Sequence, residues 1–149
     1  MKQLFFIVIM IFSITVSSQI IEPVTLQFSS VKKNKNTYEI HVKANIQKGW
    51  HIFSQSTDTG GSLPTNISFK KNKMIIVNGN LKEVGVLKEK YEDVFEVNTK
   101  YYYNIVDFVQ LVKTKTNAPV KLEGTIMYMA CKDEQCLTPQ EVEFEIMLN

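Results

Sequence analysis

An all-β chain, with antiparallel strands packed as two facing sheets, is what this sequence predicts, and three observations carry the prediction. Apolar and polar residues alternate with period two in several stretches, turn-forming dipeptides stand between them, and no stretch shows the 3.6-residue period of an amphipathic helix. Short strands of this number bury all their alternating faces at once when two sheets oppose each other. The expected architecture is therefore an immunoglobulin-like antiparallel β-sandwich, with a small barrel as the competing arrangement.

The elements follow in chain order. Lys2, the unbroken apolar stretch Leu4 to Phe12 and the small residues of Ser13 to Ser18 form a secretory signal peptide over 1–18, to be removed before Gln19. The apolar run is shorter than the roughly 20 residues a membrane-spanning helix needs, and no later run is longer, so no membrane span is expected in the mature chain. No cysteine stands at the cleavage point to accept a lipid anchor. A single domain is expected over 19–149, exported from the cytoplasm. Its strands begin with the alternations Val24, Leu26, Phe28 and Tyr38, Ile40, Val42, Ala44. Ile67 to Lys70, Met74 to Val77, Tyr101 to Val112 and Val120 to Ala130 follow, with Gly60-Gly61 and Asn78-Gly79 as turns. Val142, Phe144, Ile146 and Leu148 alternate with Glu141, Glu143 and Glu145 in the last strand. Trp50 is expected to pack between the sheets.

Composition excludes several functions. The formal charge is +2, falling to +1 without Lys2, and every basic side chain apart from the two histidines is a lysine. A nearly neutral surface without arginine is a poor nucleic-acid binder, and Lys32-Lys33-Asn34-Lys35 and Lys70-Lys71-Asn72-Lys73 read as solvated turns. No cofactor is indicated. A metal site is not expected either, because Cys-x4-Cys lacks the two-residue zinc knuckle and His41 and His51 stand far away in sequence. There is no Gly-x-Ser-x-Gly elbow for a hydrolase.

The remaining chemistry is Cys131 and Cys136, an even count in an exported chain and so able to oxidise to each other. Val120 to Ala130 is expected to run as one strand, Lys132 to Gln135 as a short loop and Leu137 to Leu148 as the returning strand, which sets the sulfurs face to face at a hairpin end. A disulfide closing so short a loop stabilises by about 2 kcal/mol in the chain-entropy model, a modest staple. The same bond at a polar, accessible tip is open to attack by a thiolate. Lys132 favours a thiolate nearby while Asp133 and Glu134 oppose it. Spacing leaves both readings open, a structural disulfide and a redox-active dithiol.

Three stretches resemble the N-terminal periplasmic domain family of the thiol:disulfide interchange protein DsbD, stand-alone relatives included: Lys48-Gly-Trp-His-Ile-Phe-Ser-Gln55, Gly61-Ser-Leu-Pro-Thr-Asn-Ile-Ser-Phe69 and Tyr128 to Glu143. That resemblance implies an immunoglobulin-like domain that passes reducing equivalents from a thioredoxin-like electron donor to disulfide-containing periplasmic acceptor proteins, in disulfide correction or cytochrome maturation. It implies that Cys136 makes the mixed disulfide and Cys131 resolves it. It further implies a cap loop within Lys90-Tyr-Glu-Asp-Val-Phe-Glu96, with Phe95 as lid and Glu92 and Asp93 as acids, and a site lined by His51 and Phe53. The alternative class is a non-enzymatic immunoglobulin-like binding module whose disulfide only pins its hairpin.

Overall fold

The computed structural model describes residues 21–60, 62–93, 96–133 and 135–149; the proposed signal peptide lies outside them. Among the described residues ten strands form two antiparallel sheets: β1 (Val24–Asn34), β2 (Thr37–Ile46), β3 (His51–Phe53), β4 (Asn66–Phe69), β5 (Ile75–Glu92), β6 (Val97–Thr114), β7 (Val120–Tyr128), β8 (Ala130–Lys132), β9 (Gln135–Cys136) and β10 (Gln140–Leu148). The larger sheet runs β1-β2-β6-β3-β8-β9, with β5 added on β6, and the smaller runs β10-β7-β4. This is the expected all-β sandwich, and the division into two separate sheets removes the barrel.

The core lies where the alternation placed it. In β2 every second residue from Tyr38 to Ile46 is buried. Ile40, Val42 and Ala44 meet Val106, Phe108 and Val112 of β6, with Leu122 and Ile126 of β7 and Phe144, Ile146 and Leu148 of β10 in the same cluster. Phe28 stacks on Phe144 with ring centroids 4.7 Å apart, joining β1 to β10. Trp50 packs against this cluster but is only half-buried, so it edges the core and does not sit between the sheets.

Four sequence expectations need correcting. Asn78-Gly79 is not a hairpin turn: the strand beginning at Ile75 continues to Glu92, and its register against β6 shifts between Asn78 and Lys82 as a bulge, with Gly79 at φ +74°. The local Asn-Gly signal loses to the fourteen cross-strand pairs that β5 makes along β6. Next, Val120 to Ala130 is not one strand. The chain leaves the smaller sheet after Tyr128 and joins the larger at Ala130. The return strand does not run from Leu137. It starts at Gln140, after a break containing Pro139, which has no N–H to give a ladder. Finally, Lys32 and Lys33 belong to β1 and not to a turn, and Lys33 pairs with Glu39 at 2.9 Å.

These breaks position the site. β5 follows one flank of β6, and the other flank is shared by β2, against Ile105 to Lys113, and β3, against Tyr101 to Tyr103. The step from β2 to β3 is a tight turn in which the Trp50 amide donates to the Gln47 carbonyl and Gly49 takes φ +85°, a conformation that favours glycine. The short β8–β9 hairpin is then added to the free side of β3.

Candidate functional site

Cys131 and Cys136 are directly opposed across the β8–β9 hairpin and form a disulfide, with Cα atoms 4.0 Å apart. The Leu137 amide donates to the Ala130 carbonyl, which makes that pair hydrogen-bonded and leaves the cysteines at the adjoining non-hydrogen-bonded position, where opposing side chains come closest. Asp133 turns the hairpin with φ +52°, a left-handed conformation that Asp tolerates. The two sulfurs are not equivalent in access. Cys131 is 1% exposed, packed between β3 and β9, whereas Cys136 lies on the outermost strand of the sheet and is exposed.

The pairing register extends a row from the cysteines. Tyr103 of β6 opposes His51 of β3, His51 opposes Cys131, and Cys131 opposes Cys136. Directly opposed residues share one face of a sheet, so these four side chains stand side by side. One row along, Phe53 opposes Tyr101. The His51 ring meets Phe53, Tyr101 and Tyr103 at centroid distances of 5.3, 4.9 and 5.4 Å. Aromatic surface therefore flanks the disulfide on its inner side. Phe53 is 6% exposed while Tyr103 is 38% exposed, so the cluster grades from buried to open.

Electrostatics within the cluster follow from burial. His51 is held below the usual imidazole value chiefly by loss of water, with the Asp133 carboxylate acting in the opposite direction. Its Nδ1 is buried and meets no hydrogen-bond partner among the described residues. Burial, then the neighbouring Tyr103 hydroxyl, push Tyr101 upward, with Lys90 opposing this and Glu92 adding to it.

Behind this row the opposite face of the sheet is tied by a carboxylate. Glu83 accepts from the Ser54 hydroxyl at 2.6 Å, the Gln55 amide at 2.7 Å and the Tyr102 hydroxyl at 2.8 Å. Burial, reinforced by that carboxylate, raises Tyr102 so far that it stays a neutral donor. Strands β3, β5 and β6 are thereby fastened together just beneath the aromatic cluster.

Of the residues singled out in the sequence, Cys131, Cys136, His51 and Phe53 come together. Glu92 closes β5 and pairs with Lys90 at 3.1 Å, and Asp93 stands in the following turn. Phe95 lies outside the described residues. Tyr101 and Tyr103 were missed. Their signal was the run Tyr101-Tyr102-Tyr103 in a strand, where period two puts the outer pair on one face and Tyr102 in the core. His41, the other histidine, is far from this row and bonds Asp107 through Nδ1 at 2.8 Å. Among the described residues no three His, Cys, Asp or Glu side chains converge as a metal site, and no helix is long and apolar enough to cross a membrane.

With this geometry in hand, comparison with known proteins adds a family. The family model for the N-terminal region of the thiol:disulfide interchange protein DsbD matches residues 17–148. The fold is similar to that of the reduced DsbD N-terminal domain from Neisseria meningitidis, at 14% identity and TM-score 0.57, covering 85% of this chain and 86% of that one. It is also similar to the N-terminal periplasmic domain of ScsB from Proteus mirabilis, at 14% identity and TM-score 0.58, covering 85% of this chain but 46% of that one. A third likeness is to the complex between the DsbD N-terminal and PilB N-terminal domains from Neisseria meningitidis, at 12% identity and TM-score 0.56, over 85% of this chain and 87% of that one. At such identities the structural likeness is one of fold. No curated protein matches the sequence.

Proposed function

Because this chain belongs to the family of the N-terminal domain of the thiol:disulfide interchange protein DsbD, we propose that Cys131 and Cys136 are its redox-active dithiol, passing reducing equivalents between a thioredoxin-like donor and disulfide-containing exported proteins. The observation that carries the reading is the unequal access of the two sulfurs. Thiol-disulfide exchange requires one sulfur that a partner can reach in line and a second, shielded from partners, that is within bonding distance of the first. Cys136 on the open edge and Cys131 buried behind it meet both requirements.

In the loading direction a donor thiolate attacks Cys136 Sγ, the Cys131–Cys136 bond breaks, and its electron pair goes to Cys131. The donor's second thiol then attacks the mixed disulfide and leaves with its own disulfide, so the donor loses two electrons and the cysteine pair gains them. In the delivery direction the Cys136 thiolate attacks an acceptor disulfide and Cys131 closes the ring, releasing reduced acceptor. The proposed compartment is the periplasm, in line with the domain from Proteus mirabilis described as periplasmic, with residues 1–18 as the export signal and 19–149 as the domain. The similarity in fold to the complex between the DsbD N-terminal and PilB N-terminal domains supports exchange with a separate protein. Glu92, Asp93 and Phe95 are proposed as the cap loop of the site, and His51 and Phe53 as its lining.

Trapping tests this assignment. Oxidised Cys131→Ala and Cys136→Ala proteins, each activated with an aromatic disulfide, are offered a thioredoxin that retains only its nucleophilic cysteine. A covalent adduct is expected on Cys131→Ala, through Cys136, and not on Cys136→Ala. Adducts of equal yield on both, or on neither, would mean that the disulfide is a staple of a binding module.

A further inference from the structure

The exchange cycle, as drawn above, leaves a titratable side chain beside the disulfide without work. His51 directly opposes Cys131 across β3 and β8, a position at which the two Cβ atoms stand about 4.5–5.5 Å apart on the same face. Its Nδ1 is buried and has no hydrogen-bond partner among the described residues. An orphaned buried ring nitrogen costs free energy, and the oxidised pair gives it nothing, because two sulfurs bonded to each other carry no proton and accept weakly. Opening the bond changes the neighbour. Cys131 becomes a thiol that can donate to a bare nitrogen, or a thiolate that can accept from an N–H.

We infer that His51 is the proton acceptor and donor of Cys131 during exchange, an inference that rests on the roles given to the two cysteines above. In the closing step neutral His51 takes the S–H proton of Cys131. The thiolate so formed attacks Cys136 Sγ in the mixed disulfide, the Cys131–Cys136 bond forms, the bond from Cys136 to the acceptor breaks, and the electron pair departs on the acceptor's sulfur. The cysteine pair is oxidised by two electrons, the acceptor's disulfide is reduced, and the proton passes from the imidazolium to water or to the departing thiolate. In the opening step the imidazolium protonates Cys131 as it leaves.

The setting suits both halves. Loss of water keeps the imidazole neutral near neutral pH, and so free to take up a proton. Asp133, across the hairpin turn, favours the imidazolium once it forms. The other titratable groups that face His51 are Tyr101 and Tyr103 from β6 and Cys131 from β8, with Lys90 and Glu92 at the end of β5 acting on Tyr101. None of these groups besides His51 titrates ordinarily just below neutrality.

A packing role for His51 in the aromatic cluster predicts different behaviour, and the reduced full-length protein separates the two. Reaction with dithionitrobenzoate releases one coloured thiolate when Cys136 attacks and a second when Cys131 closes the ring, so the two phases report the two steps. Across pH about 5 to 8, His51→Gln is expected to leave the first phase within about twofold and to slow the second at least about tenfold, with loss of its inflection below pH 6.5. His51→Phe, which keeps a ring in the cluster, is expected to match it. A second phase that keeps its rate and inflection in both variants overturns the inference, as does equal slowing of both phases. If Cys136 of the native protein fails to react first, the parent reading falls and takes this one with it; a normal first phase with a second phase indifferent to His51 removes only the present inference.

Discussion

The contrast between Cys131 and Cys136 is set by where each falls in a two-strand addition to the sheet edge. Cys131 has a strand on either side and Cys136 has one. The sequence made the pairing legible through the short spacing between two cysteines, but not the asymmetry, since burial depends on β3, a strand far away in the chain. His51 illustrates the same limit: its neighbours Tyr101, Tyr103 and Cys131 all come from other strands, and no local pattern announces that its Nδ1 is buried. One consequence is measurable in the fold itself. Burial lowers the proton affinity of His51 in the native state, so on acidification the unfolded chain takes up a proton first. The folded protein is therefore expected to lose stability as pH falls below the ordinary imidazole value of 6.5 towards the lower native value. His51→Phe should abolish that part of the pH dependence, read as the urea midpoint at a series of pH values. An unchanged dependence would place the titrating group elsewhere.

Among the elements, the strands with clean alternation, β2 and β10, were readable at sight, because one face is buried along the whole of β2 and from Phe144 to Leu148 in β10. Strand β5 was not. Most of its residues beyond Val77 are exposed, with Val84 and Val86 at 58% and 71%, and it is held chiefly by backbone pairing to β6, which leaves no period-two signature. The small sheet shows how tightly an element can be specified. A Cβ on Gly124 of β7 would stand 2.5 Å from Phe144 Cζ and 2.7 Å from the Ser68 carbonyl oxygen. Since one of those contacts is backbone, relaxation is restricted, and Gly124→Ala is expected to cost about 1–3 kcal/mol, measurable by urea unfolding. A neutral result would mean that β4 and β10 can spread apart around β7.

For the molecule as a whole, the alternation pattern was enough to predict two facing sheets but not which strand joins which. That assignment turns on the switches after Tyr128 and Cys136, where the chain crosses from the smaller sheet to the larger and back. The crossing carries the disulfide away from the main core to an edge. Because the bond closes only a short loop, its contribution is about 2 kcal/mol in the chain-entropy model, and neither cysteine belongs to the buried cluster of β2, β6, β7 and β10. A fold that survives reduction of its disulfide is what a carrier of reducing equivalents needs. Equilibration of the Cys131–Cys136 bond with a thioredoxin dithiol of known potential decides most directly whether this bond is poised for exchange. The expected poise is within the range of exchange proteins, about −270 to −120 mV; a Cys131–Cys136 bond that stays oxidised down to potentials far below about −300 mV would identify it as structural and contradict the account.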